Sequence, residues 1–95
     1  MILSISISEL LKKQDALIID IRNEQNYNNN HIPSSKNIPK QILISNPSKY
    51  LDKNKTYYIY CSVGYTSAPV CNKLSSMGYK VVNVSGGYNS YYEIL

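Results

Sequence analysis

Thr56-Tyr57-Tyr58-Ile59-Tyr60-Cys61-Ser62-Val63-Gly64-Tyr65-Thr66-Ser67 is the stretch on which the fold turns. Its first five residues are β-branched or aromatic, the side chains that fit a pleated, half-buried strand. From Cys61 to Ser67 the chain becomes small and polar around Gly64, which predicts a loop. Val70, Cys71, Leu74 and Met77 then fall at helical spacing, with Pro69 in the first turn and Gly78 just past the end. That pattern predicts a helix of about three turns.

Working outward, Leu17-Ile18-Ile19-Asp20-Ile21 and Val81-Val82-Asn83-Val84 read as further strands, the first apolar enough to be covered on both faces. Ser6 or Ser8 can cap a short helix through Glu9-Leu10-Leu11-Lys12-Lys13. One helical turn fits around Glu24-Gln25-Asn26-Tyr27, although it has little to bury. Pro39 pushes Ile38 towards extended angles, so Asn37-Ile38-Pro39 is a short extended piece. Residues 41–55, interrupted by Pro47, are assigned short helical turns. Ser85-Gly86-Gly87 is a tight loop, followed by a closing helix with Tyr88, Tyr91, Tyr92 and Leu95 on one side. Strands alternate with helices, which favours an α/β fold with a parallel sheet. At 95 residues, the chain is read as one domain over 1–95.

In an open parallel sheet, reactive groups collect where strands end and helices begin, because free N–H groups point there. Cys61 occupies such a junction. A thiolate at this point would be stabilised by loop amides and by the positive end of the following helix, which lowers the thiol pKa. Gly64 gives the loop conformational freedom, Val63 and Tyr65 are expected to wall a pocket, and Thr66 and Ser67 supply hydroxyl donors. The local pattern is also compatible with a buried structural cysteine.

Ile19-Asp20-Ile21-Arg22, His31-Ile32-Pro33, Asn37-Ile38-Pro39, Cys61-Ser-Val-Gly-Tyr-Thr-Ser, Met77-Gly78-Tyr79 and Gly86-Gly87 together resemble the rhodanese domain in order and spacing over nearly the whole chain. The free-standing single-domain sulfurtransferases are most similar. The resemblance implies a central parallel β-sheet flanked by α-helices on both faces, and a Cys61 that cycles through a persulfide. It also implies that Ser62, Val63, Gly64, Tyr65 and Thr66 complete the sulfur-binding loop, with Ser67 closing it. The implied partners are a small sulfur donor such as thiosulfate and a thiol or cyanide acceptor; the alternative is a non-turnover sulfur-relay or protein-binding module whose acceptor is a protein, for which the missing loop cation leaves room. No cofactor is implied. Three departures stand out: Thr66 where many single-domain members have arginine, the Ser34-Ser35 pair, and Tyr91 where they have tryptophan.

Other residues have plainer expected roles. Asp20 and Arg22, two apart on a strand, share a face and brace the fold, and in the family this Asp-x-Arg unit partners the neighbouring loop. His31 is read as a loop-fixing hydrogen bonder and Cys71 as a core residue. Phosphatase or arsenate reductase chemistry ranks last, because Ser67 stands where an oxyanion-gripping arginine would be needed. The net charge of +4 comes from scattered lysines without a basic stripe, which argues against nucleic-acid binding. Neither a membrane-length apolar stretch nor a signal-peptide pattern at Met1-Ile-Leu-Ser-Ile is visible, so a cytoplasmic location is expected. No spacing of metal ligands is present.

Overall fold

Alternation along one strand organises the molecule. In β4 (Thr56–Tyr60), Tyr57 and Ile59 face one side while Tyr60 faces the other, and each set enters a separate hydrophobic cluster. The computed structural model describes residues 2–95. In chain order the remaining elements are β1 (Leu3–Ile5), α1 (Ile7–Leu11), β2 (Leu17–Asp20), α2 (Glu24–Asn29) and β3 (Lys36–Asn37). After these come α3 (Lys40–Ser45), α4 (Pro47–Tyr50), α5 (Ser67–Ser76), β5 (Lys80–Val84) and α6 (Gly87–Glu93). The five strands form one parallel sheet in the order β1-β5-β4-β2-β3.

One face carries Leu43 of α3, Leu51 after α4, and Val70, Cys71 and Leu74 of α5 against Ile19, Tyr57, Ile59 and Val81. The opposite face carries Ile7 and Leu10 of α1 and Tyr88 of α6 against Ile5, Ile18, Tyr60 and Val84. Helices thus cover both faces, as strands apolar on both sides require. α2 buries nothing. It lies instead beyond the carboxyl ends of the strands.

Sequence and structure part at four places. β1 pairs with β5 through Leu3–Ile5, a strand too short and too exposed at Leu3 to show a period. α1 begins one residue after Ser6, whose Oγ accepts the Glu9 N–H at 3.1 Å, and stops at Leu11, so Lys12 and Lys13 fall outside it. Met77 does not join the apolar face of α5. It is the C-cap and half exposed, because Gly78 at φ +96 turns the chain there, with Tyr79 and Gly78 N–H bonded to the Leu74 and Ser75 carbonyls. In α6 only Tyr88 and Tyr91 turn inward; Tyr92 is exposed, and Leu95 is exposed because the seven-residue helix ends before it at Glu93.

Ile32-Pro33-Ser34-Ser35 is a tight turn closed by Ser35 N–H to the Ile32 carbonyl at 3.1 Å. Ser34 has φ +72, a left-handed conformation that glycine adopts without strain. Replacing Ser34 by glycine is therefore expected to stabilise the fold by about 1 kcal/mol, after the opposing gain in unfolded-state entropy is subtracted. Urea titration would check this, and an unchanged or lower midpoint would refute it.

Candidate functional site

β4 ends at Tyr60, and Cys61 follows directly at the carboxyl edge of the sheet, 5% exposed. The chain then bends through Gly64 at φ +95 and enters α5 at Ser67. This bend aims amides at the sulfur: Gly64 N–H donates to Sγ at 3.1 Å and Ser67 N–H at 3.3 Å. The Ser67 Oγ is also 3.3 Å from Sγ. Burial by itself would raise the Cys61 pKa. The Ser67, Gly64 and Thr66 amides, together with the Ser67 hydroxyl when it turns to the thiolate, outweigh it, and the thiol lies below its ordinary value.

The loop is fixed from outside by α6. Tyr88 N–H donates to the Cys61 carbonyl at 2.8 Å and Asn89 N–H to the Ser62 carbonyl at 2.9 Å. Gly87 makes this possible, since a Cβ there would overlap the Cys61 carbonyl oxygen. A cavity of about 180 Å³ opens over the sulfur, with Cys61, Ser62, Val63 and Thr66 on one side and Arg22, Asn23 and Asn26 on the other. It is smaller than the ~300–1,000 Å³ typical of drug-sized ligands and suits a small donor.

Of the loop residues, Tyr65 does not wall the cavity. It is 84% exposed, because the turn at Gly64 directs the next side chain into solvent. Arg22 also lines the cavity, with its Nε and Nη2 committed elsewhere. Its Nε donates to both Asp20 oxygens at 3.1 Å, and its Nη2 to Asp20 Oδ2 at 2.8 Å and to the Asn30 carbonyl at 2.7 Å. His31 is outside the cavity lining. Its Nδ1 donates to the Tyr27 carbonyl at 2.8 Å and its ring stacks on Tyr27 at 3.9 Å.

Three contributors escaped the sequence reading. Asn23 and Asn26 sat in a polar run without pattern, and Asn83 was read only as part of a strand. The signal for Asn83 was a polar residue at an inward position between valines: it is buried and accepts the Ser67 hydroxyl at 2.6 Å. Among the described residues no cluster of His, Cys, Asp or Glu could hold a metal, and no helix is long and apolar enough to cross a membrane.

Cys71 lies in the core on α5, its pKa pushed up to about 12 first by burial and then by the neighbouring Cys61 charge. Iodoacetamide near neutral pH is therefore expected to modify one thiol, Cys61, with a rate that rises through a midpoint below the ~8.5 of a free cysteine. Rate against pH with peptide mapping checks this. Modification of Cys71, or a midpoint above that of free cysteine, would contradict it.

The sequence profile of the rhodanese-like domain matches residues 6–94. The chain is 31% identical over 84 residues to the thiosulfate sulfurtransferase GlpE of Coxiella burnetii, covering 87% of this chain and 78% of that protein. It is 40% identical over 65 residues to the tRNA sulfurtransferase of Thermoplasma acidophilum, covering 68% of this chain but only 13% of that much longer protein. The crystal structure of a rhodanese-related protein from Thermoplasma volcanium superposes with a TM-score of 0.88 at 30% identity, over 97% of this chain and 92% of that one. With its profile match spanning almost every residue and its parallel sheet shared with that structure, the chain belongs to the rhodanese-like domain family.

Proposed function

We propose that the protein is a sulfurtransferase that carries a sulfane sulfur on Cys61. The carrying observation is the pair of amides, Gly64 and Ser67, that converge on Sγ without a general base beside it. The Cys61 thiolate attacks the outer sulfur of a donor, so that an S–S bond forms and the donor remainder leaves, as sulfite when thiosulfate is the donor. An acceptor thiol or cyanide then attacks the outer sulfur, and Cys61 departs as thiolate. Ser62, Val63 and Thr66 border the space in which the outer sulfur would sit, while Asp20, Arg22 and His31 support the neighbouring chain. Support for this reading comes from relatives named sulfurtransferases. Two free cysteines agree with a reducing compartment such as the cytoplasm.

Intact-mass measurement after incubation with thiosulfate tests the proposal. A gain of roughly 32 Da, one sulfur atom, that maps to Cys61 and disappears on addition of cyanide is expected. A protein that stays unmodified with thiosulfate and with glutathione persulfide is not a sulfur carrier. Val63, half exposed on the cavity wall, and the exposed Tyr65 of the same loop favour a second reading, in which the acceptor is a protein. Under that reading the persulfide forms normally but small acceptors discharge it slowly.

Thiosulfate is a dianion, and at Thr66 the cavity wall offers it no cation. Thr66→Arg would add bidentate donors near the sulfonate oxygens. A charge-assisted hydrogen bond is worth about 1.5–3 kcal/mol, so kcat/KM for thiosulfate should rise about 10-fold to 100-fold. Steady-state kinetics at low and moderate salt check this. An unchanged kcat/KM would mean that the loop amides suffice.

A further inference from the structure

A hydroxyl group has a single hydrogen, and that of Ser67 has two claimants. Ser67, fully buried at the start of α5, lies with its Oγ 2.6 Å from Asn83 Oδ1 and 3.3 Å from Cys61 Sγ. Asn83 is on the inward face of β5, opposite Ile59 of β4, so the sheet holds its amide directly beneath the loop. The carbonyl oxygen of an amide can only accept. The short contact therefore puts the Ser67 hydrogen on Asn83, and the hydroxyl oxygen faces the sulfur as an acceptor. That arrangement fits a Cys61 thiol, whose S–H donates to Ser67.

A thiolate needs the reverse. The Gly64 and Ser67 amides donate to it in either state, since their hydrogens are fixed by the backbone. The Ser67 hydroxyl is the sulfur's one rotatable hydrogen-bond partner among those described, and it can donate only by leaving Asn83. We propose that Asn83 is a positioning residue for Cys61: by holding the Ser67 hydrogen it keeps that hydroxyl an acceptor and limits how readily the sulfur ionises. The charged and titratable groups around the sulfur are Arg22 across the cavity, paired with Asp20, and Cys71 on α5. None of their side chains is hydrogen-bonded to the Ser67 or Asn83 side chain, so substitution of Asn83 removes none of their bonds.

The inference deepens the reading of Cys61 as the sulfur carrier, and its test uses no sulfur transfer. Thiolate ultraviolet absorbance and iodoacetamide rate would be followed against pH in the native protein, Asn83→Val, Asn83→Ala, Ser67→Ala and the Ser67→Ala/Asn83→Val double variant. Valine suits a strand, alanine gives a second neutral route to the same loss, and circular dichroism identifies the variants that fold. Freed from Asn83, the Ser67 hydroxyl turns to the thiolate. The midpoint of Asn83→Val or Asn83→Ala should fall by about half a unit to one unit, giving about threefold to tenfold more thiolate below the midpoint. In the Ser67→Ala background the same change should have no effect.

A midpoint that stays or rises in the folded Asn83 variants overturns the proposal, as does a fall that persists without the Ser67 hydroxyl. Mass measurement with thiosulfate on the same samples separates the two readings. A lowered midpoint with no persulfide would leave the Asn83 relay standing and remove the sulfur-carrier role. A normal persulfide with an unmoved midpoint would do the opposite.

Discussion

Cys61→Ser is expected to reduce sulfur transfer to the uncatalysed background while the fold survives. The reaction passes through a disulfide-like bond on the side-chain atom, and an alkoxide neither forms at neutral pH nor accepts a sulfane sulfur. No other residue can take over. Cys71 is fully buried and its thiol is held protonated far above neutrality, so Cys71→Ala should stay active. The fold should tolerate serine, because the Gly64 and Ser67 amides that face Sγ can donate to a hydroxyl oxygen. The change in stability should be within about 1 kcal/mol. Persulfide mass, steady-state turnover and thermal melting of the variant are the measurements, and retained turnover would remove Cys61 from the chemistry.

Cys61 was legible in the sequence because its surroundings are periodic. Thr56–Tyr60 alternates around the sheet, Val70, Cys71 and Leu74 mark one helical face, and the loop between them contains Gly64. Features that depend on long-range contact or local backbone angles were not legible. Tyr65 looked like a pocket wall, but its direction is set by a positive φ at Gly64, which residue type permits without specifying. Asn83 acquires meaning only when the parallel crossover brings Ser67 above β5. Asn23 caps, and Asn26 belongs to, a helix that buries nothing, so no apolar pattern could locate them at the cavity. β1 becomes a strand only through β5, since three residues carry too little periodicity to announce one.

The Asp20–Arg22 unit was legible as a brace, and its geometry predicts a large stability effect. Asp20 is fully buried, and its carboxylate accepts the Arg22 backbone N–H at 2.8 Å as well as the guanidinium. Arg22 then reaches the Asn30 carbonyl, and its guanidinium lies 4.4 Å above the Tyr88 ring. One pair thus ties the end of β2 to the far end of α2 and to α6, the two helices that bound the cavity and clasp the Cys61 loop. Asp20→Ala leaves a mostly buried guanidinium without its counter-charge, which typically costs about 3–5 kcal/mol. A domain of this size has about 5–15 kcal/mol in total, so much of its margin would go. Removing the orphaned charge as well should recover part of the loss: Asp20→Ala/Arg22→Met is expected to be more stable than Asp20→Ala alone. Urea denaturation of the two variants decides between an electrostatic brace and simple packing. If the double variant is less stable than Asp20→Ala, Arg22 contributes through its contacts with Tyr88 and Asn30 even without its partner, and the charge pair is not what holds β2 to the loop.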